Sequence, residues 1–130
     1  MSDVVLLTLG VLACFQLKHF AADYLLQTSW IIAGKGHLDR PGGYAHAGIH
    51  ALLSIPALLL AGLDVPKVAA LCAAEFVVHF AIDHTKALLS MKSRKGPTTA
   101  AYWALHGGDQ CIHHLSYLAM TAIALGWAAA

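Results

Sequence analysis

The chain has 130 residues, of which 58% are hydrophobic and 12% charged. Soluble domains average roughly 45–50% apolar and about 25% charged residues, so a chain of one-domain length with this balance has too little polar surface for a water-soluble globule. Its formal charge of +1, with no dominating basic stripe, also argues against a nucleic-acid partner.

The N-terminal MSDVVLLTLG lacks the basic region of a cleavable signal, so the first apolar segment is expected to stay with the protein. That segment runs from about residue 4 to 30 and contains HFAAD at 19–23. A Gly-rich turn, AGKGHLDRPGG, leads to a second segment at about 44–63, where Pro56 is expected to kink the helix. GLDVP is a tight connection to a third segment at about 65–91, which contains HFAID at 79–83. SMKSRKGP then leads to a fourth, at about 98–129. Each reaches the ~20 residues needed to cross ~30 Å of hydrocarbon. Only helices or closed barrels satisfy backbone groups in lipid, and the helical spacing of the polar residues excludes the barrel. The expected fold is therefore an all-α, integral-membrane four-helix bundle, one polytopic domain over 1–130.

Lys35 and Arg40 in the first loop, and Lys92, Arg94 and Lys95 in the third, put positive charge on one side of the bundle. The positive-inside rule places that side in the cytoplasm and both termini outside. Cys14, Cys72 and Cys111 are scattered through apolar segments and read as buried thiols rather than a disulfide framework.

Ionisable residues within membrane helices are costly and call for a reason. Gln16, His19, Asp23 and Gln27 follow a 3–4 spacing on the first segment, and Glu75, His79, Asp83 and Lys86 do so on the third. The second segment opens with His46 and His50 at i, i+4. The fourth carries His106, Asp109 and His113 on one face, with His114 expected to turn away. Given the alternating direction of the segments, all four polar faces lie at one depth, in the cytoplasmic half, which implies a single site. HFAAD followed by IHAL (49–52) recurs as HFAID followed by IHHL (112–115), so the bundle reads as a duplicated helix pair, segments 1–2 and 3–4.

Imidazoles with carboxylates are ligands for Zn²⁺, Mn²⁺ or Fe²⁺, and i, i+4 pairs on a helix can supply two ligands to one ion. His19, Asp23, His50, His79, Asp83 and His113 are the candidate ligands. Asp109 is a candidate ligand or general base, while Gln16, Gln27, His46, Lys86 and Gln110 would orient ligands or contact substrate. A metal with an open coordination position would activate water for hydrolysis of an ester or phosphate, and the nearby lysines suit an anionic lipid or phosphate. Three other readings compete. Polar side chains can be hydrogen-bonding glue between helices, as in an accessory or assembly subunit of a larger membrane complex or a homo-oligomer. His50 and His113 could ligate haem, although no C-x-x-C-H attachment motif is present. A His/Asp chain is also proton-relay material.

The pattern Q-x-x-H-F-x-A-D-Y-x-x-Q at 16–27, HFAIDHTK at 79–86 and DQCIHH at 109–114 resembles a family of small bacterial inner-membrane proteins of unknown function. The resemblance covers almost the whole chain. It implies a polytopic protein of the bacterial inner membrane and no particular activity. Its motif positions correspond here to Gln16, His19, Asp23, Gln27, His50, His79, Asp83, Lys86, Asp109, Gln110 and His113. A looser similarity is to membrane-bound metal-dependent hydrolases, which also set His and Asp in short apolar segments.

Overall fold

The computed structural model describes residues 2–129; Met1 and Ala130, the ends of the expected 1–130 unit, lie outside them. Among the described residues all regular structure is helical: α1 (Asp3–Phe20), a π turn (Ala21–Leu25), α2 (Ser29–Gly34), α3 (Pro41–Leu60), α4 (Val65–Ser93) and α5 (Ala100–Ala128). The all-α expectation is met, with five α-helices rather than four. The difference lies at the end of the first segment. A helix expected to run unbroken from 4 to 30 stops at Phe20, passes through the π turn, and restarts at Ser29 after Thr28 caps the new helix by accepting a hydrogen bond from the Ile31 amide. α3 runs through Pro56 as one helix, and Asp64 caps α4 through the Lys67 amide.

The four long helices pack in the cyclic order α1, α3, α4, α5, with α2 lying on α3. Glycines explain how α2 fits. A Cβ on Gly34 would sit 2.7 Å from the Gly42 Cα, so α2 doubles back until its backbone touches that of α3. The loops after α2 and α4 meet at one end of the molecule, where Lys35, His37 and Arg40 share a pocket with Ser90 and Met91. At the other end Lys67 reaches the Trp127 carbonyl at 3.0 Å.

The bundle divides lengthwise. Its far half is apolar, with Val11, Phe15, Leu58, Leu71, Tyr117, Met120 and Ala124 packed together. The half nearer α2 buries Lys18, His19, His46, His50, Glu75, His79, Asp83, Asp109 and His113. Outside, the pattern inverts: Leu17 is 70% exposed, and Leu25, Leu52, Val77 and Leu115 also face outward. Polar inside and apolar outside is the reverse of a soluble protein. Among the described residues three helical stretches are long and apolar enough to cross a membrane: Asp3–Leu25, Pro41–Leu60 and Val65–Ser93.

Candidate metal centre

The π turn at the end of α1 sets up the first half of the site. The Leu26 amide bonds the Ala21 carbonyl five residues back, at 3.0 Å, which inserts an extra residue and rotates the next part of the chain. Asp23 lies in this turn, and the Gln27 side chain donates to its carbonyl at 2.9 Å. Its carboxylate points at α3: Nε2 of His46 and Nε2 of His50 are each 3.0 Å from Oδ1. With His79 from α4, these side chains bring one ligand atom each to within 4.8 Å of one another.

A second group, His79, Asp83 and His113, meets the same distance limit. The His113 Nε2 lies 3.2 Å from Asp83 Oδ1, and the His79 Nε2 3.4 Å from Asp83 Oδ2. The two groups share His79. They are further joined by His46, whose Nε2 is 3.4 Å from Asp83 Oδ2, and by Gln110, whose amide donates to Asp23 at 3.3 Å and to Asp109 at 3.2 Å.

The duplicated motif has a geometric counterpart. His19 stands 3.4 Å from Asp23, as His79 does from Asp83. His50 bonds Asp23 as His113 bonds Asp83, at 3.0 and 3.2 Å. His46 and Asp109 occupy matching places, each four residues before the histidine that bonds its repeat's aspartate.

Several buried polar atoms in the cluster have no hydrogen-bond partner: both ring nitrogens of His46, Nε2 of His79, Nδ1 of His113 and Oδ1 of Asp109. His46 is the sharpest case, fully buried with Nε2 only 3.0 Å from a carboxylate oxygen yet not aimed along a hydrogen bond to it. Buried polar atoms are nearly always paired. Nitrogen and oxygen atoms converging without hydrogen bonds are what a coordinated cation would satisfy.

The surroundings orient the ligands. The buried Lys18 pairs with Glu75, donates to the His50 carbonyl at 3.3 Å and lies 3.2 Å from His50 Nδ1. The Tyr117 hydroxyl touches His50 Nδ1 at 3.3 Å and His19 Nδ1 at 3.0 Å. Gln110 Oε1 accepts from His19 Nε2 at 2.9 Å. His19 is thus held between Tyr117 and Gln110 and belongs to neither ligand group. Lys35 reaches in from the end of α2 and places Nζ 2.7 Å from Asp83 Oδ2. Asp109 Oδ1 is 3.6 Å from His113 Nε2, with Lys86 3.9 Å from its other oxygen.

Of the residues singled out by sequence, Asp23, His50, His79, Asp83, His113, Asp109, Gln110 and Lys86 come together, and His46 is a potential ligand rather than a neighbour of ligands. Gln27 touches the Asp23 backbone only, and Gln16 is exposed, away from the cluster. His106 packs on Tyr102 and Trp103 instead of joining Asp109. His114 does not turn away: its ring lies 5.3 Å from that of His19. Sequence reasoning misses Lys35 and Tyr117. Tyr117 was findable, four residues beyond His113 on the same helix face. Lys35 left no signal, because its reach depends on α2 folding back.

A model of one family matches residues 11–129, nearly the whole chain. The chain belongs to that family, described as a protein of unknown function (DUF3307). Neither the curated proteins nor the solved structures include a match to it. Family membership therefore brings no activity with it.

A haem fits this site poorly. The rings of His50 and His113 are nearly parallel, 6.5 Å apart, but the His79 ring lies 3.7 Å from one and 4.2 Å from the other, where a macrocycle would have to go.

Proposed function

We propose that this member of the family is a multi-pass protein of the bacterial inner membrane that holds a divalent Zn, Mn or Fe ion between its helices and hydrolyses an ester or phosphoester of a lipid. In this reading α5 is the fourth crossing. Its polar residues HGGDQCIHH would be tolerated because Asp109 and His113 face the bundle interior. The basic ends of α2 and α4 would lie in the cytoplasm.

The observation that carries the proposal is the pair of overlapping ligand groups, Asp23/His46/His50/His79 and His79/Asp83/His113, with unpartnered nitrogens in their midst. Four protein ligands make a closed, structural type of site; three leave a position for water. An ion in the three-ligand group would lower the pKa of that water. Asp109, beside His113 and at the wall of a cleft between α4 and α5, would take the water's proton, a role its nearness to His113 supports. With a bound ion supplying an activated water, Asp109 would accept the proton lost as water adds to the ester and would return it to the departing alcohol. Lys86 would hold the anionic end of the substrate.

The Lys35–Asp83 pair favours a second reading, in which the cluster is hydrogen-bonded glue in an accessory subunit. Elemental analysis separates the two, using protein purified in mild detergent without a metal-binding tag, beside Asp83→Ala and His113→Ala. One or two ions per chain, reduced in both variants, is the expected result. An ion-free protein whose variants are only less stable would end the metal proposal and leave glue.

A further inference from the structure

Two cavities flank Lys86 and differ in character. One, of about 430 Å³, is a lateral cleft between α4 and α5 lined by Ile82, Leu89, Leu105 and Ile112 together with the exposed Gly108 and the buried Asp109. The other, of about 410 Å³, lies between α4 and the α2–α3 loop and presents Lys35, His37, Arg40 and Lys86, with no acidic residue in its lining. Lys86 lines both and is half-buried between them. An apolar cleft opening sideways from a bundle, meeting at a lysine a pocket at the bundle's end whose ionisable residues are all basic, matches a molecule with an acyl chain and an anionic head.

We infer that these cavities together form a binding site for a lipid with a phosphate headgroup, the chain lying between α4 and α5 and the phosphate held by Lys86 with Lys35 and Arg40. This names a substrate class for the proposed hydrolase and rests on that reading for its chemistry, although the binding itself requires no metal. The phosphate commits to this end for a physical reason: Arg40 has no carboxylate partner among the described ion pairs, Lys86 lies 3.9 Å from Asp109, no acidic residue lines the pocket, and charge-assisted bonds to phosphate are strong. The apolar cleft has no such polar demand, Asp109 apart, and suits a hydrocarbon chain. The junction at Lys86 brings the headgroup ester beside Asp109.

Gly108 provides a clean test. A Cβ added there meets nothing within 4 Å, and the same holds for Gly107, which does not line the cleft. Gly108→Leu should fill the channel without disturbing packing, and Gly107→Leu is its matched control. Native mass spectrometry of the full chain in mild detergent would follow binding of phosphatidic acid, diacylglycerol and inorganic phosphate. The expected result is phosphatidic acid bound one per chain, weakened about tenfold or more by Lys86→Gln and by Gly108→Leu but not by Gly107→Leu. Diacylglycerol binding as tightly would overturn the headgroup assignment. Phosphatidic acid binding indifferent to both substitutions would overturn the site. Inorganic phosphate that displaces the lipid and ignores Gly108→Leu would assign the basic pocket to the free anion and overturn the lipid. Metal content measured on the same samples keeps the two proposals apart. Lipid binding with this pattern in an ion-free protein removes the hydrolase and leaves the lipid site; bound metal without binding of phosphatidic acid removes the lipid site and leaves the metal centre.

Discussion

The Asp23 and Asp83 halves of the candidate centre share the same five-residue pattern, yet they are finished differently. HFAAD ends in a π turn, so Asp23 is swung toward α3 and meets His46 and His50 at 3.0 Å each. HFAID continues as ordinary α-helix, and Asp83 keeps to its own helix face, bonding His113. Each half also has a lysine. Lys18 sits behind His50 and is neutralised by Glu75, so it never reaches Asp23. Lys35 has no acid of its own among its described ion pairs and goes directly to Asp83. The Asp23 half is therefore a closed four-ligand group without a resident cation on its carboxylate. The Asp83 half has three ligands, a lysine in contact, and Asp109 at a cleft. One repeated motif can thus give two similar sets of potential ligands which local backbone and charge then finish differently, one with four members and the other with three beside a lysine.

Removing the shared ligand should have the largest effect. His79→Ala takes one ligand from each group and is expected to abolish bound metal altogether, as read by elemental analysis of the purified protein. Retention of a full ion in that variant would mean that the two groups are not coupled through His79. Next comes the neutralised lysine: Glu75→Ala leaves the Lys18 ammonium buried without its partner, which costs about 3–5 kcal/mol. Unfolding in mixed micelles should show that loss. In protein that remains folded, metal content should be little changed, since Glu75 belongs to neither ligand group.

Paired Asp→Asn substitutions would break the comparison if the halves were equivalent. On the proposed function, Asp23→Asn should remove the ion of the four-ligand group, whereas Asp83→Asn should lose only the ion of the three-ligand group and, with it, the proposed hydrolysis. Competition with a fluorescent chelator would resolve an affinity difference of about 10–100-fold, and equal losses would show that the halves act alike. A smaller effect is expected at Gly34. Gly34→Ala forces α2 off α3 at a 2.7 Å contact and should destabilise by about 1–3 kcal/mol. It should also draw Lys35 away from Asp83. Lys35→Met tests the same point with less disturbance: it should raise uptake of a second ion about tenfold by removing the cation that competes for Asp83. An unchanged second-ion affinity would mean that the lysine and the metal do not compete.

Much of the centre was legible because lipid makes polar residues conspicuous. Within apolar segments every His, Asp and Lys stands out, and the 3–4 spacing assigns them to helix faces. Asp23, His50, His79, Asp83 and His113 were visible for that reason. The same logic overreached for Gln16, which is exposed, and for His106, which prefers the aromatic surfaces of Tyr102 and Trp103. It gave His46 a supporting place, while the structure sets it among the potential ligands, because spacing along one helix does not say which of two histidines lies between two carboxylates on other helices.

By itself the sequence determined that the chain is helical, that its outward faces are apolar and that ionisable side chains on four segments lie at one level. Those properties follow from local periodicity and the cost of burying polar groups. Only the tertiary structure decided that Asp23 sits in a π turn, that α2 folds back on Gly42, that Lys35 thereby reaches Asp83 and that Lys86 stands between an apolar cleft and a basic pocket. Each of these depends on contacts between segments distant in the chain. Whether a carboxylate meets an imidazole or an ammonium there depends on backbone turns of a few ångströms that no pattern of residue types encodes.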